Sequence, residues 1–88
     1  MRQIKAIITG KVQGVYFRQS TKQVAQQYNI VGHAINLADT SVEVIAIGHE
    51  PDIALLIELL HIGPKSAVVS SVTITDYLGP MLQDFTTG

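Results

Sequence analysis

The order of strand-like and helix-like segments along the chain is the feature that most restricts its fold. Residues 3–9 alternate loosely and are rich in β-formers, whereas apolar-leaning positions between residues 17 and 28 recur at helical spacing. The remaining segments are strands at residues 31–37, 42–48 and 67–77, a helix from Pro51 to the pair Gly63-Pro64, and a short edge strand at residues 84–86. This βαββαβ order predicts an α+β fold of the ferredoxin-like, split βαβ type.

Such a plait has two helices on one face of a four- to five-stranded antiparallel sheet. In the second helix, one apolar stripe is expected to face the core, and it consists of Ile53, Leu56, Ile57 and Leu60. The length of 88 residues predicts a single domain over residues 1–88. Because many unrelated activities share this topology, the fold alone does not indicate a function.

Composition excludes several classes of site. There is no cysteine, which rules out disulfides, thiolate catalysis and cysteine metal ligands. No segment approaches the roughly 20 apolar residues of a membrane helix, and the N-terminal apolar run is too short for a secretory signal. We therefore expect a cytoplasmic protein without a membrane partner. Only 15% of residues are charged and 47% are hydrophobic, which favours a monomer or a weak homo-oligomer that associates through exposed apolar surface.

Charge is distributed unevenly along the chain, although the net charge is only −1. Five of the six cationic residues lie within residues 1–38, which contain no acid: Arg2, Lys5, Lys11, Arg18 and Lys22. The seven acidic residues lie between Asp39 and Asp84. An anion site is therefore expected in the first segment.

The loop between the first strand and the first helix carries the most specific motif. Its residues read Gly10-x-Val12-Gln13-Gly14-Val15-x-Phe17-Arg18, which resembles the first signature of the acylphosphatase family. Residues 32–43, GHAINLADTSVE, resemble the second signature of that family, and the resemblance extends over nearly the whole chain. The second motif departs from the family pattern at His33, Ile35 and Thr40.

Thr40 stands where the family usually has glycine in an Asp-Gly hairpin turn. Glycine tolerates the positive φ that such a turn uses, whereas a β-branched residue resists it. We therefore expect a different turn at this point, which also makes the placement of Asn36 less certain.

The resemblance implies hydrolysis of an acyl phosphate to a carboxylate and inorganic phosphate, the latter being both product and inhibitor. The implied phosphate-binding residues are Gln13, Gly14, Val15, Tyr16, Phe17 and Arg18. A glycine-containing loop that leads into a helix can direct several N–H groups at one anion, and arginine can bind two phosphate oxygens at once. The implied catalytic residues are Arg18 and Asn36, with Asn36 orienting the attacking water. No metal or other cofactor is implied.

Proteins of the same topology also have functions of other classes. RNA-binding modules of the same topology stack bases on aromatic residues of the first and third strands, but residues 3–9 and 42–48 contain no aromatic residue, so no nucleic-acid partner is expected. The three histidines lack metal-ligand spacing. Two alternatives remain. One is a non-catalytic or weakly active domain that binds phosphate or carbamoyl phosphate, and the other is a protein that associates through an exposed apolar face and whose site is vestigial.

Overall fold

The computed structural model describes all 88 residues and contains five strands and two helices. In chain order these are β1 (Arg2–Lys11), α1 (Phe17–Gln27), β2 (Val31–Asn36), β3 (Val42–Gly48), α2 (Glu50–Ile62), β4 (Val68–Asp76) and β5 (Phe85–Thr87). Every element expected from the sequence is present, and the boundaries differ by no more than two residues. Neither helix is both long and apolar enough to cross a membrane.

The strands form one sheet in the order β4-β1-β3-β2-β5. The neighbours β4, β1, β3 and β2 pair antiparallel, whereas β5 pairs parallel to β2, with Gly32 opposite Phe85. The expectation of a wholly antiparallel sheet is thus corrected at this edge. The reason is topological: β4 ends at the end of the sheet where β2 begins, so a chain that crosses along that end enters β5 in the direction of β2.

One face of the sheet and the two helices enclose the core. Strands β1 and β3 direct alternate side chains toward the helices, and these are buried: Ile4, Ala6, Ile8, Val42, Val44 and Ala46. From α2, Ile53, Leu56 and Leu60 are buried as predicted, while Ile57 is partly buried against the same cluster. Phe17 at the start of α1 is 1% exposed. Burial of Phe17 fixes the position of the helix end that carries Arg18.

The turn between β2 and β3 contradicts the expectation for Thr40. Thr40 adopts a φ of 75°, in the left-handed region. The N–H of Thr40 donates to the carbonyl of Leu37 at 3.2 Å, and the N–H of Leu37 donates to the carbonyl of Ser41 at 2.9 Å. This is a tight hairpin turn in which threonine occupies the position that favours glycine. The Asp39 carboxylate stabilises it by accepting hydrogen bonds from the N–H and the hydroxyl of Ser41.

Candidate functional site

The loop between β1 and α1 has an alternating backbone conformation. Gly14 has a φ of 71° and Tyr16, at the N-terminus of α1, has a φ of 68°, so two left-handed residues flank Val15. Alternation of left- and right-handed residues turns successive N–H groups toward the same side and forms a concave anion-binding surface. A Cβ on Gly14 would meet nothing within 4 Å, so this glycine serves the backbone conformation and not a close contact.

The N–H groups of this loop have no acceptors within the protein. From Gln13 to Gln19, none of the seven consecutive main-chain N–H groups donates a hydrogen bond to another protein group. The carbonyl of Val15 instead accepts a hydrogen bond from the Ser66 hydroxyl at 2.7 Å. This bond fixes the loop without using any of its N–H groups. These N–H groups lie at the N-terminus of α1, where the helix dipole is positive. Both features favour an anionic ligand.

A cavity of about 200 Å³ lies at this loop. It is lined by Val12, Gly14, Tyr16, Phe17, Arg18, Gln19 and Thr87. Four of the six residues expected to bind phosphate therefore line one cavity, while Gln13 and Val15 belong to the same loop without lining it. A second cavity, between α1 and α2, is lined mainly by apolar residues and contains no charged side chain. The chemistry of the lining favours the first cavity as an anion site.

Arg18 is partly buried and has one hydrogen-bond partner within the protein. Its Nη1 donates to a main-chain oxygen of Gly88, and it forms no ion pair with an Asp or Glu side chain. The parallel pairing of β5 brings Gly88 to this position, where its N–H also donates to Ala34 at 3.1 Å. Because a guanidinium has five N–H donors, one bond to a main-chain oxygen orients the group and leaves four donors available.

Asn36 is the last residue of β2. It lies on the same face of the strand as the buried residues Gly32 and Ala34, which is the face covered by the helices. Its side chain is exposed, makes no hydrogen bond within the protein, and is not among the residues lining the cavity. On the opposite face, Nε2 of His33 lies 2.8 Å from Oε2 of Glu43, away from the loop, as the alternation of the strand predicted.

Several contacts that the sequence did not indicate hold the site together. The Nε2 atom of Gln13 donates to the carbonyls of Leu37 and Ser41, each at 2.9 Å. Ser66 and Gly88 contact Val15 and Arg18 across 51 and 70 residues of sequence. No local pattern indicates such partners, because they depend on which strands become neighbours. Tyr16 is 58% exposed, and its hydroxyl accepts a hydrogen bond from Nε2 of Gln23 at 3.1 Å.

Comparisons with known proteins agree on one family. A family model described as acylphosphatase matches residues 4–87. An acylphosphatase from Xanthomonas euvesicatoria pv. vesicatoria is 43% identical over 88 residues, which cover 100% of both chains. An acylphosphatase from Hahella chejuensis is 48% identical over 69 residues, 78% of this chain and 73% of the relative. The solved structure of an acylphosphatase from Coxiella burnetii superposes with a TM-score of 0.92 at 34% identity, covering 99% of this chain and 92% of that one.

Proposed function

The chain belongs to the acylphosphatase family, and on that premise we propose how its β1–α1 loop hydrolyses small acyl phosphates to a carboxylate and inorganic phosphate. The observation that carries the proposal is the run of seven unpaired N–H groups from Gln13 to Gln19, which lies beside Arg18. No Asp or Glu residue lines the cavity beside these donors.

The phosphoryl group is bound by the loop amides and by Arg18. The amides of Gln13, Gly14, Val15, Tyr16 and Phe17 supply fixed dipoles, and the guanidinium adds a positive charge and a planar pair of donors. In phosphoryl transfer the protein acts mainly by positioning the group and neutralising its charge. A main-chain oxygen of Gly88 holds the guanidinium in one orientation, which lowers the entropy lost when phosphate binds.

Water is the nucleophile, and Asn36 orients it through its side-chain amide. An amide is a poor base, but a base is not required when a phosphate oxygen of the substrate accepts the proton of the water. The leaving carboxylate has a reference pKa of roughly 4 and departs without a general acid. The proposed reaction therefore requires neither a metal ion nor a catalytic histidine.

The test is hydrolysis of benzoyl phosphate without added metal, measured together with inhibition by inorganic phosphate. We expect competitive inhibition in the wild type. Arg18→Ala should lower kcat/KM at least about 100-fold and abolish phosphate binding, whereas Asn36→Ala should lower kcat by roughly 10²-fold and leave the inhibition constant for phosphate unchanged. Arg2→Ala, at an exposed ion pair with Glu50, is the control for loss of an arginine.

Equal hydrolysis by the wild type and Arg18→Ala would refute the enzymatic assignment of this site. The alternative function is a domain that binds phosphate or carbamoyl phosphate with little turnover. The observation that favours it is the position of Asn36 outside the cavity lining. It predicts phosphate binding in the wild type, loss of binding in Arg18→Ala, and the same low kcat in the wild type and Asn36→Ala.

A further inference from the structure

The side chain of Gln13 bonds to the turn between β2 and β3 and does not line the cavity at the proposed phosphate-binding loop. Its Nε2 atom lies 2.9 Å from the carbonyl of Leu37 and 2.9 Å from the carbonyl of Ser41, at a partly buried position. These carbonyls bracket the three-residue turn of residues 38–40, and Leu37 directly follows Asn36. One side-chain nitrogen of the proposed phosphate-binding loop (residues 13–18, called the phosphate loop below) therefore bonds to both ends of the turn that follows Asn36.

Each of the two carbonyls that Gln13 contacts also accepts a main-chain hydrogen bond within the turn. The Leu37 carbonyl already accepts from the N–H of Thr40, and the Ser41 carbonyl accepts from the N–H of Leu37. Gln13 supplies the second donor to each, so both lone pairs of both oxygens are used. The primary amide of Gln13 makes both bonds at once because its single nitrogen has two N–H donors and no charge.

This pair of bonds is the only side-chain hydrogen-bonded link between the phosphate loop and the turn. No other side chain of residues 12–19 donates to or accepts from residues 36–42. Asn36 has no side-chain partner of its own, so the end of its strand and the turn determine where its amide lies. A change of about 1 Å in such a positioning contact can cost about 100-fold in rate.

We propose that the side chain of Gln13 is a positioning residue that fixes Asn36, and the water it orients, relative to the phosphoryl group bound by the same loop. The inference rests on the proposed roles of the loop and of Asn36. It assigns Gln13 two separate tasks: its N–H contributes to phosphate binding, and its side-chain amide aligns the nucleophile. Loss of the side chain alone should therefore affect kcat and spare phosphate affinity.

The main test is Gln13→Met, which keeps the length and bulk of the side chain but removes both donors. With benzoyl phosphate, kcat should fall roughly 10- to 100-fold, while the inhibition constant for inorganic phosphate stays within about twofold of the wild type. Gln27→Met, at an exposed residue near the end of α1, is the matched control and should leave both constants unchanged. In the Asn36→Ala background, Gln13→Met should have no further effect on kcat.

A second variant tests donation itself and guards against a folding defect in Gln13→Met. Gln13→Glu places a carboxylate against two carbonyl oxygens at neutral pH, but its protonated form can donate one hydrogen bond. Its kcat relative to the wild type should rise as the pH falls toward the ordinary glutamic acid pKa of about 4.3. A merely structural defect would not be relieved in this way.

Three results would overturn the inference. The first is a wild-type kcat in Gln13→Met; the second is a loss of phosphate affinity with kcat unchanged; the third is full additivity of Gln13→Met with Asn36→Ala. In each case Asn36→Ala alone would still lower kcat if the proposed function is right. If Asn36→Ala leaves kcat unchanged, the proposed role of Asn36 fails, and the inference fails with it.

Discussion

Replacement of Thr40 by glycine should stabilise the protein, because Thr40 carries backbone strain with no visible compensation from its own side chain. Its φ of 75° lies in the left-handed region, which costs a non-glycine residue about 1–2 kcal/mol. The side chain is exposed and makes no hydrogen bond within the protein, so its removal sacrifices no contact of that kind. Glycine increases the entropy of the unfolded chain, which offsets about 0.4–1 kcal/mol. The expected net gain is about 1 kcal/mol.

The assay is equilibrium unfolding in urea. With an m value of about 1 kcal/mol/M, a gain of about 1 kcal/mol raises the midpoint concentration by about 1 M. For a domain of this length, the same gain raises Tm by roughly 4–8 °C. Thr40→Asn should also stabilise, since asparagine tolerates the left-handed region without the full entropic cost of glycine.

Thr73→Gly is the matched control. Thr73 is an exposed residue of β4 with ordinary strand geometry, so glycine there should destabilise by roughly 1 kcal/mol. The opposite signs of the two Thr→Gly changes separate backbone strain from the general effect of glycine. A midpoint for Thr40→Gly at or below that of the wild type, with an unchanged m value, would refute the argument from strain.

Two further predictions concern the neighbouring strands and the turn. Gly32→Ala should lower the free energy of unfolding by at least about 4 kcal/mol or prevent folding, because the new Cβ would lie 1.8 Å from the carbonyl oxygen of Ile45. The measurement is the urea midpoint, which should fall sharply. A variant as stable as the wild type would contradict that geometry. Hydrogen bonds from Ser41 lower the pKa of Asp39, and the bond from its hydroxyl has a larger effect than the bond from its N–H. The charged carboxylate therefore stabilises the fold above the ordinary pKa of aspartate, and this stability is lost as the pH falls through the lowered pKa. The urea midpoint of Asp39→Asn should therefore be below that of the wild type at pH 7 and approach it under acid conditions; a gap that is independent of pH would exclude the charge as the cause.

Much of the fold could be predicted because its signals are local. The helical spacing from residue 17, the proline and acids at the start of α2, and the Gly63-Pro64 pair at its end each act through nearby main-chain atoms. The loop that we propose binds phosphate, residues 13–18, also has a local signal. Its glycine, its left-handed residues and its helix N-terminus are contiguous in sequence, so a motif of nine positions was enough to locate it.

The turn at Thr40 shows where a local rule was insufficient. The preference of β-branched residues against positive φ is worth only about 1–2 kcal/mol. The register of β2 and β3, with their apolar faces turned toward the helices, and the bonds from Asp39 and Gln13 outweigh it. A propensity of that size can be overridden wherever several tertiary contacts require the same backbone path.

The sequence by itself determined the elements, their order and the loop that we propose binds phosphate, because each depends on residues a few positions apart. Only the tertiary structure decided that β5 runs parallel to β2, that Gly88 meets Arg18, and that Gln13 reaches the turn beside Asn36. These contacts join residues 24 to 70 positions apart. They depend on the assembled sheet, since the strand order sets which distant backbone and side-chain groups become neighbours.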